Sequence, residues 1–70
     1  MSIVLITFQN VHLVIKADKL LRQRQFICKI VPVPEHISSE CGMCIETNIA
    51  NLQQLQQLLR GHRMEHTVHI

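Results

Sequence analysis

Gln25 to Thr47, QFICKIVPVPEHISSECGMCIET, is the stretch on which the fold turns. Gln25–Val31 reads as a strand, with Phe26, Cys28 and Ile30 on one face because strand side chains alternate. Pro32 and Pro34 end it, since neither can donate to a sheet ladder. Val31 to Glu40 is then an ordered loop whose Pro-Val-Pro start is stiffened by two fixed φ angles. Past Gly42, strand character returns through Met43, Cys44, Ile45, Glu46 and Thr47. Two strands with no helix between them therefore occupy the middle of the chain.

Working outward, each flank supplies one helix and one more strand. On the N-terminal side, Ile3–Phe8 (IVLITF) is a β-branched apolar run without Gly or Pro, which reads as a strand buried on both faces. Asn10 is an N-cap candidate for a helix from about Val11 to Gln23. Leu13, Val14, Ala17, Leu20 and Leu21 form its inner stripe. On the C-terminal side, Asn48 is a second N-cap candidate, for a helix over about Ile49–Arg60. Leu52, Leu55, Leu58 and Leu59 face inward there, and Gln53, Gln54, Gln56 and Gln57 make a solvated face rather than a low-complexity tract. Gly61 suits the left-handed residue that ends such a helix. Met64–Ile70 alternates, with Met64, His66, Val68 and Ile70 on one side, as a last strand.

The order is βαββαβ, an α+β arrangement. Two helices cover only one face of a four-stranded sheet, so the expectation is a single ferredoxin-like sandwich over residues 1–70, with antiparallel strand order 4-1-3-2. Fold alone assigns no function.

Composition narrows the classes. Seventy residues with 47% hydrophobic content make one small domain with a thin core. No apolar run approaches the roughly 18 residues a membrane span needs, and no secretory signal is visible, so a cytoplasmic location is expected. Seven Lys and Arg against five acids leave a net charge of +2. They are scattered, apart from Arg22 and Arg24, and with two Phe, no Tyr and no Trp there is neither a basic stripe nor a stacking platform for nucleic acid. Paired carboxylates, a phosphate loop and a nucleophile elbow are also missing, so nothing in the residues points to an independent enzyme.

The three cysteines carry the chemistry. In the expected topology strand 3 runs antiparallel beside strand 1, so its mouth lies next to the start of helix 1. Cys41 is thereby expected near Asn10, Val11 and His12, where free N–H groups and the helix dipole favour an anion and hence a thiolate. Ser38 and Ser39 add hydroxyl donors, and Gly42 permits a bend. His12 is the candidate base or thiolate partner. Cys28 and Cys44 read as small apolar strand residues. A Cys41–Cys44 dithiol couple is disfavoured because positions i and i+3 of a strand point to opposite faces. Zinc on Cys41, Cys44, His62 and His66 is disfavoured because the two histidines span roughly 13 Å along a strand; no metal and no cofactor is expected. The histidines other than His12 read as surface or edge residues.

Two blocks carry a family resemblance. Phe8-Gln9-Asn10-Val11-His12-Leu13-Val14-Ile15-Lys16-Ala17-Asp18-Lys19 is similar to Phe-x-Ser-Thr-His-x-Ala-Leu-x-Ala-Glu-Lys. Val31-Pro32-Val33-Pro34-Glu35-His36-Ile37-Ser38-Ser39-Glu40-Cys41-Gly42 is similar to Ile-Pro-Val-Pro-Arg-x-Ile-Ser-Ser-x-Cys-Gly. These patterns belong to a family of small bacterial selenium/sulfur carrier-like proteins, which the chain resembles over nearly its whole length. The resemblance implies that Cys41 accepts sulfur or selenium as a persulfide or perselenide, with His12, Ser38, Ser39 and Gly42 around it; Asn10 and Pro34 are further binding candidates. It also implies donor and acceptor proteins as partners, for example a cysteine desulfurase. Glu35 stands where the family tends to carry Arg, Asn10-Val11 replaces Ser-Thr, and Cys44 takes a position that is usually small and apolar. The competing expectations are a non-catalytic interaction module, using the 31–40 loop and a sheet edge (which also allows a homodimer), and a Cys41/Cys44 thiol–disulfide protein.

Overall fold

Asn10 starts the first helix as its sequence suggests: an extended backbone, with Oδ1 accepting from the Leu13 N–H at 3.0 Å. In the computed structural model, which describes residues 2–37 and 42–70, the elements run β1 (Ile3–Thr7), α1 (Val11–Gln23), β2 (Cys28–Pro32), β3 (Met43–Asn48), a 3-10 turn (Ile49–Asn51), α2 (Leu52–Gly61) and β4 (Thr67–His69). The strands form one antiparallel sheet in the order β2-β3-β1-β4. That is the 4-1-3-2 order of a ferredoxin-like α+β sandwich, counted from the other edge. No helix among the described residues is long and apolar enough to cross a membrane.

Both helices pack on one face of the sheet. Ile6, Phe8 and Ile45 meet Val14, Ala17 and Leu21 of α1 and Leu55 and Leu59 of α2. Cys28, Ile30 and Val68 pack at the margin of this cluster. The opposite face has no helix, and the chain solves this with its central loop. His36 and Ile37 line one shallow cleft with Leu5, Glu46 and His69, so the segment after Pro34 folds back over the sheet. Cys44, opposite Thr7 on that face, is fully buried. The result is a slab with extents of 29 × 28 × 16 Å.

Several boundaries depart from the expectation. β1 is buried on both faces only towards its end: on the helix-free face Thr7 is buried and Leu5 half-buried, while Ile3 at the strand's start is 56% exposed. β2 continues into Pro32, which pairs with Met43. The proline is tolerated because β2 is an edge strand and one side of its backbone needs no partner. β4 is only three residues long, and Met64 belongs to a helix cap instead. His66 and His69 are half-buried, His69 in the edge strand β4 and His66 just before it. His66 donates from Nδ1 to the Met64 carbonyl at 3.0 Å, and His69 Nε2 bonds Thr7 Oγ1 at 3.1 Å.

The two helices end alike, and the left-handed residue that closes α2 is not Gly61, its last helical residue. In α1, Phe26 N–H reaches Leu21 O at 2.9 Å and Gln25 N–H reaches Arg22 O at 3.0 Å. In α2, Met64 N–H reaches Leu59 O at 2.9 Å and Arg63 N–H reaches Arg60 O at 3.0 Å. Each is a Schellman pair, and each brings an apolar side chain, Phe26 or Met64, back towards the core. The left-handed residues are Gln25 (φ 65) and Arg63 (φ 56), positions where glycine is usual. Gly61 stays inside the helix.

Candidate functional site

Pairing across the sheet determines what meets at its functional end. Cys44 faces Thr7, so the residues just before Cys44 lie towards the end of β1, where the chain turns through Gln9 and Asn10 into α1. Gly42 extends the β2–β3 ladder by one bond, its carbonyl accepting from the Val33 N–H at 3.0 Å. It has φ +74, and a Cβ built there meets nothing within 4 Å. Conformation, not space, therefore selects glycine at this position.

Around it, the first turn of α1 holds no acidic residue. His12 is exposed on that turn. Asn10 acts as the cap, its side-chain oxygen engaged with Leu13 of its own helix. Pro34 is half-buried and its carbonyl closes a tight turn by accepting from Ile37 N–H at 3.0 Å. Cys41, Ser38 and Ser39 lie outside the described residues. The structure thus brings Gly42, Asn10, His12 and the start of the Pro34 turn to one end of the sheet.

The other two thiols differ from each other. Cys28 donates from Sγ to Asp18 Oδ1 at 3.6 Å. Burial is the chief reason its pKa is pushed up from 9.0 to about 11; the Asp18 charge and hydrogen bond add to the rise, and Arg22 opposes it. Cys28 is therefore a protonated thiol at neutral pH and a poor nucleophile. Cys44 is held in the sheet at zero exposure. Among the described residues no group of three or more His, Cys, Asp or Glu is arranged to hold a metal ion.

One feature of this end escaped the sequence reading. An open cleft of about 780 Å³ lies between the end of β1 and the segment joining α2 to β4. Arg60 and Arg63 line it, over Phe8, Met64 and His66. The run Arg60-Gly61-His62-Arg63 was the available signal, but only the tertiary fold shows that it opens onto Thr7, Phe8 and Gln9.

The family described as "Putative Se/S carrier protein-like" matches residues 4–68 of the chain. The chain belongs to this family. No curated protein and no solved structure matches it. The matched span takes in both helices, β2, β3, all of β1 but Ile3 and all of β4 but His69, together with the Pro32-to-Gly42 segment.

Proposed function

We propose that the protein is a sulfur or selenium carrier that holds the chalcogen on Cys41. Its membership of the carrier-like family across residues 4–68 carries this reading. The strand register supports it, because the mouth of β3 adjoins the start of α1. Amide groups at a helix start favour a thiolate or persulfide anion nearby. The state of the other thiols also supports the choice of Cys41: Cys28 is held protonated and Cys44 is enclosed.

The transfer is balanced without an external oxidant. The Cys41 thiolate attacks the outer, sulfane sulfur of a donor persulfide; the donor S–S bond breaks and its electron pair leaves with the donor thiolate. Cys41 then bears the persulfide, and an acceptor nucleophile takes the outer sulfur by the same step. Selenium follows the same course through a perselenide. The donor class is a protein persulfide such as that of a cysteine desulfurase. His12, on the first turn of α1, is the candidate base for generating the thiolate.

Incubation with a cysteine desulfurase and cysteine, followed by intact mass measurement, tests the proposal. The expected result is a gain of one sulfur atom that is lost in Cys41→Ser and released by a reductant. Absence of the gain, or its persistence in Cys41→Ser, refutes carriage on this residue. A non-catalytic binding role for the 31–40 loop then becomes the better reading.

A further inference from the structure

We infer that the cleft between the end of β1 and the α2–β4 segment is a binding site for a small oxyanion, phosphoryl or carboxylate, carried on an apolar or planar body. Arg60 lies in the last turn of α2 and Arg63 follows three residues later, and both line the cleft. Among the described residues neither is in an ion pair; the two salt bridges are Asp18–Arg22 and Glu46–Lys29. Glu65, the one acid of the described residues at the rim, instead accepts from Gln9 Nε2 at 3.4 Å.

The guanidinium groups are not consumed by the helix end either. The carbonyls of Leu58, Leu59 and Arg60 are bonded by the N–H groups of His62, Met64 and Arg63. Two arginines thus line an open cleft with no anion of the described residues paired to them, an arrangement suited to oxyanion recognition. The floor is apolar, with Phe8 and Met64 buried and the His66 ring centroid 6.3 Å from that of Phe8. Thr67 and Gln56 add neutral hydrogen-bonding groups at the wall. That combination favours an anion with an apolar body over a bare ion.

Arg63 supplies a second line of support. It holds the left-handed position of the Schellman turn, where glycine avoids the Cβ penalty. The backbone gains nothing from arginine there, and Arg63 lines the cleft from that position.

Titration of the uniformly 15N-labelled protein with phenyl phosphate, benzoate and inorganic phosphate tests the inference. Saturable shifts are expected at the amides of Thr7, Phe8, Gln9, His66 and Thr67, with an aromatic anion binding more tightly than inorganic phosphate. Tighter binding of phenyl phosphate assigns a phosphoryl headgroup, and tighter binding of benzoate a carboxylate. Arg60→Gln and Arg63→Gly are each expected to weaken binding about tenfold or more, the loss of a charge-assisted contact. Arg63→Gly is also expected to raise the melting temperature, which separates lost recognition from lost folding. Should it fail to fold, Arg60→Gln, an exchange of an exposed helical residue, decides alone. Saturable shifts with none of the probes, or unchanged affinity in the deciding variant, overturn the inference. The titration involves no thiol, so its outcome is independent of carriage on Cys41.

Discussion

At the scale of single residues, the three cysteines are separated by environment. Cys28, protonated to about pH 11 in the folded chain and to about 9.0 when unfolded, makes stability depend on pH in a defined direction. Between those values the unfolded chain loses the proton while the folded one keeps it, so the contribution of Cys28 is intact below pH 9.0 and declines as pH rises towards about 11. Urea denaturation across this window is expected to show wild type losing stability relative to Cys28→Ala; parallel curves contradict the assigned environment. Alkylation at neutral pH is likewise expected to be slow at Cys28. Gly42 gives the second test at this scale. Alanine meets no atom there but must hold φ +74, so Gly42→Ala is expected to cost about 1–2 kcal/mol in a denaturation midpoint.

The elements show where sequence signals suffice and where pairing decides. α1 runs over Val11–Gln23 as its cap and apolar spacing indicate, because both signals are local. α2 ends at Gly61, one residue past the expected Arg60, but the left-handed residue is Arg63: a glycine signal is permissive, whereas the Leu59–Met64 closure that places Arg63 is a core contact. Pro32 misled in the same way: a proline ends a central strand but not an edge one, and edge status is unknown until strands pair. These closures make a prediction. Gln25→Gly relieves a left-handed glutamine and is expected to stabilise by up to about 1 kcal/mol, read from the urea midpoint. Thr47, buried at the β2–β3 pairing, donates from Oγ1 to the Ile27 carbonyl at 2.9 Å. Thr47→Val keeps its shape and removes the donor, for an expected loss of about 1 kcal/mol.

At the scale of the molecule, one helix-covered face supplies nearly all the core. A core of this size rarely supplies more than about 3–5 kcal/mol. Leu55, fully buried at its centre, is expected to cost about 3 kcal/mol as Leu55→Ala, enough to abolish the cooperative urea transition. Strand order, and with it the meeting of the β3 mouth with the start of α1, was legible because two helices and four strands admit few chiral arrangements. The loop folded across the second face was not, since nothing local in Glu35-His36-Ile37 marks what it covers. The Arg60–Arg63 cleft was hidden for the same reason, as it forms where chain segments some fifty residues apart converge.

The position of β1 inside the sheet has a consequence for how the chain acquires its shape. Its only neighbours are β3, at residues 43–48, and β4, at residues 67–69. During synthesis the apolar Ile3–Thr7 segment therefore waits unpaired while some forty residues are made, whereas β2 and β3 need only close the short span between Pro32 and Met43. A hairpin that forms first and a leading strand that docks onto it later is the order this topology favours. The Pro-Val-Pro segment is then expected to belong to the nucleus on which β1 is received, so substitutions at Pro32 or Pro34 are expected to slow refolding in stopped-flow measurements.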